Sequence, residues 1–126
     1  MTLVDTSSWI EALRRQGDPT IQERVRALLT SGEAAWCDLV RLELWAGSHG
    51  QRESRVLRDF ERDLPRLETN AEVWELACNL ARRLRTAGVT IPATDLLILA
   101  CARHHGARLE HADRHFDVAE RALAKR

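Results

Sequence analysis

The chain opens with MTLVDTSSWI (residues 1–10), and this stretch decides the fold. Its Thr2-Leu3-Val4 segment is apolar and β-branched, which predicts a short buried strand. Asp5 follows at once, and the hydroxyl groups of the next three residues favour the start of a helix before Trp9. In α/β proteins, a strand that turns directly into a helix places the residues between them at the carboxyl edge of the sheet. We therefore expect Asp5 to be the centre of a metal site.

The length and composition of the chain predict one folded domain over residues 1–126. These residues are 44% hydrophobic and 30% charged, which is typical of globular proteins and not of disordered ones. No apolar run approaches the roughly 20 residues that span a bilayer, and the N-terminus lacks the pattern of a signal peptide. We therefore expect a cytoplasmic location and no membrane partner.

The three cysteines, Cys37, Cys78 and Cys101, are widely separated and have apolar neighbours. This pattern predicts small buried side chains in a reducing compartment rather than disulfide bonds. The formal net charge is zero, so bulk electrostatics neither requires nor excludes a nucleic-acid partner.

Short apolar segments alternate with segments of helical periodicity along the rest of the chain. Three further strands are predicted at 33–37, 66–68 and 107–110. Helices are predicted at 8–15, 19–30, 39–46 (capped by Asp38), 51–64, 71–87, 94–105 and from 116 onward. Strands that alternate with helices imply parallel pairing with right-handed crossovers. The expected fold is α/β, a three-layer α/β/α sandwich with a short, mostly parallel central sheet.

Four acidic side chains form the candidate site. Asp5 and Asp113 each follow a predicted strand, and Asp95 opens the most apolar helix. Glu43 lies within the apolar helical segment LVRLELW, residues 39–45. Each acid also has an ordinary structural explanation. Asp5 and Asp95 can cap helices, Glu43 can face solvent, and Asp113 can lie in a surface turn.

The four positions are more informative together, because a parallel sheet brings such residues to one rim. Carboxylates packed together repel one another and take up protons unless a cation holds them. Carboxylate oxygens bind the hard divalent cations Mg²⁺ and Mn²⁺ in preference to zinc. The sequence therefore predicts a Mg²⁺ or Mn²⁺ site at this rim.

Four motifs occur in a fixed order along the chain: DTSSWI (residues 5–10), LEL around Glu43, PATDLLI (residues 92–98) and DRHFD (residues 113–117). In this order and rough spacing they resemble the PIN-domain nucleases, and most of all the short VapC-type toxins of bacterial toxin–antitoxin pairs. The resemblance covers essentially the whole chain. Two departures stand out. His111 occupies a position where relatives often carry Thr or Ser, and residues 118–125 are predicted as helix where a last strand is usual.

The resemblance implies a PIN-like fold and a metal-dependent endoribonuclease toxin that forms homodimers. It also implies inhibition by a cognate VapB-type antitoxin, which inserts a basic residue into the acidic site. In the family, acids at the positions of Asp5, Glu43, Asp95 and Asp113 bind Mg²⁺ or Mn²⁺, and an acid at the position of Asp117 is used variably. The expected RNA substrate is a loop of a tRNA or rRNA.

Within this site we expect Asp5, Asp95 and Asp113 to hold the metal, and Glu43 to complete the coordination or to orient the attacking water. Asp117 is expected further out or at a second metal ion. Further residues are expected to contact the carboxylates or the substrate: Thr6, Ser7, Arg14 and Arg15, with Arg82, Arg83 and Arg85 as additional candidate substrate contacts. Attack by water predicts products with 5′-phosphate and 3′-hydroxyl ends.

Other functions stay open. A metal-free ribonuclease would use histidines as acid and base, and the chain has five: His49, His104, His105, His111 and His115. A PIN-like protein without catalysis would serve as a binding scaffold. A zinc site at Cys101 and His104 lacks a motif that supplies the remaining ligands.

Large apolar side chains are more numerous than the short helices around them need for a core. Some of them are therefore expected to be covered by a second subunit or an antitoxin helix: Trp9, Leu13, Trp36, Trp45, Phe60 and Trp74.

Overall fold

The computed structural model describes residues 1–125. Over this range the strands are β1 (Thr2–Val4), β2 (Ala34–Cys37), β3 (Arg66–Leu67) and β4 (Arg108–Glu110). The helices are α1 (Thr6–Leu13), α2 (Pro19–Ser31), α3 (Asp38–Ala46), α4 (Gly50–Asp63), α5 (Ala71–Thr86), α6 (Ala93–His104) and α7 (Arg114–Ala124). Within the described residues, no helix is long and apolar enough to cross a membrane.

The four strands form a parallel sheet in the order β3-β2-β1-β4. Strand β1 is central, since it pairs with β2 through Thr2 and Ala34 and with β4 through Val4 and Glu110. The predicted α/β fold with a parallel sheet is confirmed. Because all four strands run the same way, the residues that follow them lie along one edge.

The core is built on β1, β2 and an aromatic cluster. The ring centroids of Trp9 and Phe60 are 4.8 Å apart, and those of Trp36 and Phe60 are 5.9 Å apart. All three side chains are buried. Tilted and edge-on aromatic pairs of this kind contribute about 0.5–1.5 kcal/mol beyond the area they bury. These three residues therefore belong to the core and are not available to a partner.

Other large apolar side chains stay at the surface. Leu13 and Trp74 are 43% and 56% exposed. Trp45 is partly buried, and its indole N–H donates to Glu61 Oε2 at 2.8 Å. Cys37 and Cys101 are buried as predicted, whereas the prediction is wrong for Cys78, which is exposed.

Helix starts differ from the predicted ones where an acid acts as a cap. Helix α1 begins at Thr6 rather than residue 8, because Asp5 accepts the N–H of Ser7. Helix α7 begins at Arg114 rather than residue 116, because Asp113 caps it. The predicted cap of α3 is wrong. Cys37 is its N-cap, and Asp38 lies in the first turn of the helix.

Helix α7 occupies the segment that follows Asp113, which confirms helix rather than a last strand over most of residues 118–125. Helix α6 is the most deeply buried helix, as its apolar sequence predicts. It brings Asp95, in its first turn, to the same edge of the sheet.

Candidate metal centre

Three helix N-termini meet at the carboxyl edge of the sheet. Asp5 links β1 to α1, Asp113 links β4 to α7, and Asp95 lies in the first turn of α6. The sheet fixes the first two relative to each other, since the N–H of Asp5 donates to the Glu110 carbonyl at 2.8 Å. Each N-terminus directs the positive end of a helix dipole and free N–H groups toward the site. Such an arrangement favours bound anions, including carboxylates and phosphates.

Asp5 is 4% exposed and is held in one orientation. Its Oδ2 accepts the backbone N–H of Ser7 at 3.0 Å and the Ser7 hydroxyl at 2.5 Å. The same hydroxyl accepts the N–H of Ala112 at 3.0 Å. Ser7 thus links the Asp5 carboxylate to the loop that carries Asp113. Among residues 1–125, Asp5 Oδ1 accepts no hydrogen bond and is free to bind a cation.

Asp95 and Asp113 face each other across His115. The Nδ1 atom of His115 lies 3.2 Å from Asp95 Oδ2 and 3.2 Å from Asp113 Oδ1. One ligand atom from each of the three residues falls within 4.8 Å of the other two. The Asp95 carboxylate is 13% exposed, whereas the imidazole is 47% exposed on α7. The ring can therefore turn toward solvent without disturbing the core.

Burial raises the pKa of Asp95 above its ordinary value, and the negative charges of Asp113 and Asp5 raise it further. The hydrogen bond from His115 and its positive charge oppose this shift. Asp95 is therefore close enough to Asp5 and Asp113 to be repelled by both. A divalent cation between them would remove that repulsion.

Glu43 reaches the same edge from α3 through a neighbour of Asp5. The Thr6 hydroxyl donates to Glu43 Oε1 at 2.8 Å. The structure therefore places Glu43 beside the start of α1, outside the group formed by Asp95, Asp113 and His115. This position allows Glu43 to hold a water or a substrate oxygen at the rim of the site.

Asp117 lies outside that group. Its Oδ1 is 3.6 Å from His111 Nε2, and its side chain is 61% exposed. His111 in turn accepts the N–H of Asp113 through Nδ1 at 3.3 Å and packs against Phe116. The histidine that departs from the usual Thr or Ser therefore shapes the loop that carries Asp113.

The candidate substrate arginines lie in different places. Arg14 pairs with Glu11 at 2.8 Å and lines a groove of about 470 Å³ that also contains Thr6 and Glu43. Arg15 is exposed and has no ion pair among the described residues. The arginines of α5 that line a cavity do so against α7: Arg82 and Arg83 share it with Ala122 and Leu123. Arg85, also on α5, is exposed.

Sequence reasoning missed two residues of this edge. The sequence marks His115 only as one of five histidines, although its place two residues after Asp113 puts it in the first turn of a capped helix. The pattern around Glu110 indicates only the end of a strand. Its carboxylate accepts Arg24 at 2.7 and 3.2 Å and the Ser8 hydroxyl at 2.9 Å. Both contacts join residues distant in the chain, so local sequence patterns do not reveal them.

The donor set fits a divalent cation. Asp95 and Asp113 each place one carboxylate oxygen within 4.8 Å of the other and of a nitrogen of His115, and Asp5 lies outside this group. Carboxylate oxygens are the ligands that Mg²⁺ and Mn²⁺ prefer. The carboxylates leave the site with excess negative charge, because His115 is the one basic side chain within 4 Å of Asp95 and Asp113 in the described part of the chain.

Comparisons of the sequence with protein families and with curated proteins agree on one family. The PIN domain family model matches residues 2–122. The VapC ribonuclease Mb1587 of Mycobacterium bovis is 35% identical over 125 residues, which covers 96% of this chain and 92% of the relative. Ribonuclease VapC18 of Mycobacterium tuberculosis is 32% identical over 118 residues, covering 90% and 83%.

Solved structures share the fold. DNA-bound VapBC from Salmonella typhimurium matches with a TM-score of 0.74 and 19% identity, over 92% of this chain and 89% of that one. VapC20 of Mycobacterium tuberculosis, described as a sarcin-ricin loop cleaving toxin, matches with a TM-score of 0.68 and 22% identity, over 94% and 95%. With the parallel sheet and its acidic edge, these matches lead to one conclusion: the chain belongs to the PIN-domain family and, within it, to the VapC ribonucleases.

Proposed function

We propose that the chain is a metal-dependent endoribonuclease toxin of a toxin–antitoxin pair. The observation that carries the proposal is the meeting of Asp5, Asp95 and Asp113, three acids from distant parts of the chain, at one sheet edge. Membership in the VapC ribonucleases supports the choice of RNA as the substrate. An RNA substrate also agrees with a cytoplasmic location.

Asp5, Asp95 and Asp113 would hold the cation, Mg²⁺ or Mn²⁺, and His115 would either turn away or add its nitrogen. When bound, the cation supplies charge stabilisation for the phosphoryl group and activation of water. Glu43 would orient the water from the rim, since Thr6 fixes one of its oxygens. Asp117 would act outside the first coordination sphere of the cation, because its carboxylate contacts His111.

The substrate phosphate would approach the N-termini of α1, α6 and α7, where positive helix ends favour an anion. Thr6 and Ser7 start α1, and Arg14 lies along the groove that leads to them. Arg15 is exposed near the end of the same helix. A single-stranded loop of a tRNA or rRNA is the proposed target, because unpaired bases are accessible to a shallow protein surface.

The experiment is digestion of total RNA by the purified protein with Mn²⁺, followed by analysis of the cut ends. We expect 5′-phosphate and 3′-hydroxyl ends, loss of cleavage in EDTA, and loss of cleavage in Asp5→Asn. Asp59→Asn, an exposed acid on α4, is the matched control and should cleave normally. Ends with 2′,3′-cyclic phosphate would contradict attack by water.

One specific observation favours the alternative of a metal-free ribonuclease: His115 contacts both Asp95 and Asp113. In that case His115 would be the acid or base and the carboxylates would set its orientation. Cleavage that survives EDTA but is lost in His115→Ala would establish this alternative. A catalytically silent scaffold would show neither cleavage nor binding of Mn²⁺.

The proposed antitoxin would occupy the groove between α1, α3 and α4. Exposed Ile10 and Leu13 line it together with Val56 and Glu43. This arrangement fits an apolar helix that ends in a basic residue directed at the acids. VapB-type partners are proposed here because several solved neighbours are toxin–antitoxin complexes. Leu13→Ala should weaken neutralisation by the cognate antitoxin more than it lowers the rate of RNA cleavage.

A further inference from the structure

A second charged region lies away from the acidic edge, at the C-terminal ends of α5 and α7. Between these helices is a cavity of about 410 Å³ that is lined by Arg82, Arg83 and Lys125. A neighbouring cavity of about 390 Å³ shares lining residues with the first, among them Lys125, and adds Arg121. The two cavities therefore form one continuous groove with four basic side chains along it, which we call the α5–α7 groove.

The positive charge of the α5–α7 groove is not balanced within the described part of the chain. Its four basic side chains are exposed and form no ion pair among those residues. Glu120, the acid next to Arg121 on α7, is engaged by Arg103 at 2.7 Å. Helix C-termini attract basic side chains, but each carries only about half an elementary charge, so two helix ends balance about one of the four positive charges. About three positive charges therefore remain for a ligand.

The other residues of the α5–α7 groove are small or apolar, and they include Ala122, Leu123, Val89 and Val118. Within the described residues, no acid and no aromatic side chain lines the groove. Stacking of bases on aromatic rings, the usual way to hold single-stranded nucleic acid by its bases, is therefore not available here. Arginine binds phosphate oxygens through two parallel hydrogen bonds. The groove thus suits a phosphodiester backbone and does not select its bases.

Helix α7 connects the α5–α7 groove to the acidic edge. It begins directly after Asp113, and Lys125 follows its last residue. At 1.5 Å per residue these two residues lie about 18 Å apart along the helix axis. That distance corresponds to about five nucleotides of a stacked strand. We propose that the groove binds the phosphate backbone of the RNA substrate about five nucleotides from the cut. This inference rests on the proposed ribonuclease function and adds a second place where the substrate is held.

RNA binding in EDTA tests the groove without cleavage, using the fluorescence anisotropy of a labelled single-stranded RNA of about 20 nucleotides, long enough to span both sites. Arg82→Gln/Arg83→Gln should weaken binding by more than about tenfold at about 50 mM salt. The slope of log affinity against log salt should fall by about 1.4, because each phosphate contact contributes about 0.7. The matched control Arg55→Gln/Arg58→Gln removes the same charge from exposed positions of α4 and should bind within about twofold of the wild type. Circular dichroism checks that both variants fold.

Cleavage kinetics with Mn²⁺ test the distance between the groove and the cut. Two RNAs carry the same mapped cut site, one with long flanks and one with about two nucleotides on each side, too short to reach the groove. For the long RNA, Arg82→Gln/Arg83→Gln should raise KM by at least about tenfold and leave kcat unchanged, since binding far from the reacting atoms is uniform. For the short RNA, the variant should match the wild type.

The outcomes separate this inference from the ribonuclease function. RNA binding that is unchanged in Arg82→Gln/Arg83→Gln, or weakened equally in the α4 control, would overturn the groove and leave the ribonuclease intact. A variant that loses binding of duplex DNA but keeps binding of RNA would also overturn the assignment to RNA. A wild type that binds RNA through these arginines without cleaving it would contradict the ribonuclease function and not the groove.

Discussion

Two carboxylates of similar burial lie at the same edge of the sheet and have opposite surroundings. Glu110 is 12% exposed and receives two hydrogen bonds from Arg24. Asp95 is 13% exposed and faces two other carboxylates, with a half-exposed imidazole as its basic neighbour. Burial alone therefore does not distinguish a functional acid from a structural one. The distinction is whether the protein supplies the counter-charge itself or leaves it to a ligand.

The two carboxylates differ because an arginine side chain reaches Glu110 and none reaches Asp95 among the described residues. Arg24 lies on α2, and its long side chain reaches Glu110 at the end of β4. This contact raises the pKa of Arg24 and keeps it charged. No arginine of the described chain reaches Asp95. The site thus retains a net negative charge that a cation can balance.

The largest expected difference between the two acids is in catalysis. Asp95→Asn should lower the rate of RNA cleavage by more than about 10²-fold, because loss of an outer hydrogen bond to a metal ligand already costs 10–100-fold. Glu110→Gln should keep the rate within about tenfold of the wild type. Single-turnover cleavage of one RNA at saturating Mn²⁺ measures both. Equal losses of cleavage rate in the two variants would contradict the assignment of Asp95 as functional and Glu110 as structural.

The next largest effect is on folding stability, and here the surroundings of Glu110 matter more than those of Asp95. Arg24→Met should lower the free energy of unfolding by about 1–3 kcal/mol, because it leaves the Glu110 charge buried without its partner. The double variant Arg24→Met/Glu110→Gln should recover most of the loss, since the buried charge is gone as well. Urea denaturation monitored by tryptophan fluorescence measures all three proteins. A double variant no more stable than Arg24→Met would contradict the account.

The smallest effect is a gain in stability at Asp95. Its pKa is raised in the folded protein, so ionisation costs folding free energy as the pH rises through the folded value. Asp95→Asn removes this cost and should raise the Tm of the metal-free protein at pH 7 by roughly 2–5 °C. The difference should shrink as the pH falls below the unfolded pKa of Asp95, where the carboxyl group is neutral in both the folded and the unfolded protein.

Calorimetry in the presence of a chelator measures this difference, with Asp59→Asn as the exposed control. A lower Tm for Asp95→Asn at pH 7 would show that the carboxylate stabilises the metal-free fold. That result would contradict the repulsion inferred among Asp5, Asp95 and Asp113.

The sequence was sufficient for features with a local signature. The Thr2–Val4 strand followed by Asp5, and the apolar helix that begins near Asp95, each show their structure in adjacent residues. Their meeting at one rim follows from parallel pairing. The α/β fold with a parallel sheet was therefore predictable, and so was the placement of Asp5, Asp95 and Asp113 along one edge; the PIN-like identity came from the resemblance of the four motifs.

What the sequence could not provide are contacts between distant residues. Glu110 and Arg24 are 86 positions apart, and nothing near either residue indicates their pairing. The distance between His115 and Asp95 depends on how α6 and α7 pack together. Trp9, Trp36 and Phe60 look like surplus apolar residues until the fold brings them into one cluster.

The most direct test of the central claim is titration of Mn²⁺ into the metal-free protein by calorimetry, comparing wild type, Asp95→Asn and Glu110→Gln. The account predicts that wild type and Glu110→Gln bind Mn²⁺ with similar affinity, and that Asp95→Asn binds it at least about tenfold more weakly. A wild type that does not bind Mn²⁺, or an Asp95→Asn variant that binds it as tightly as the wild type, would contradict the account.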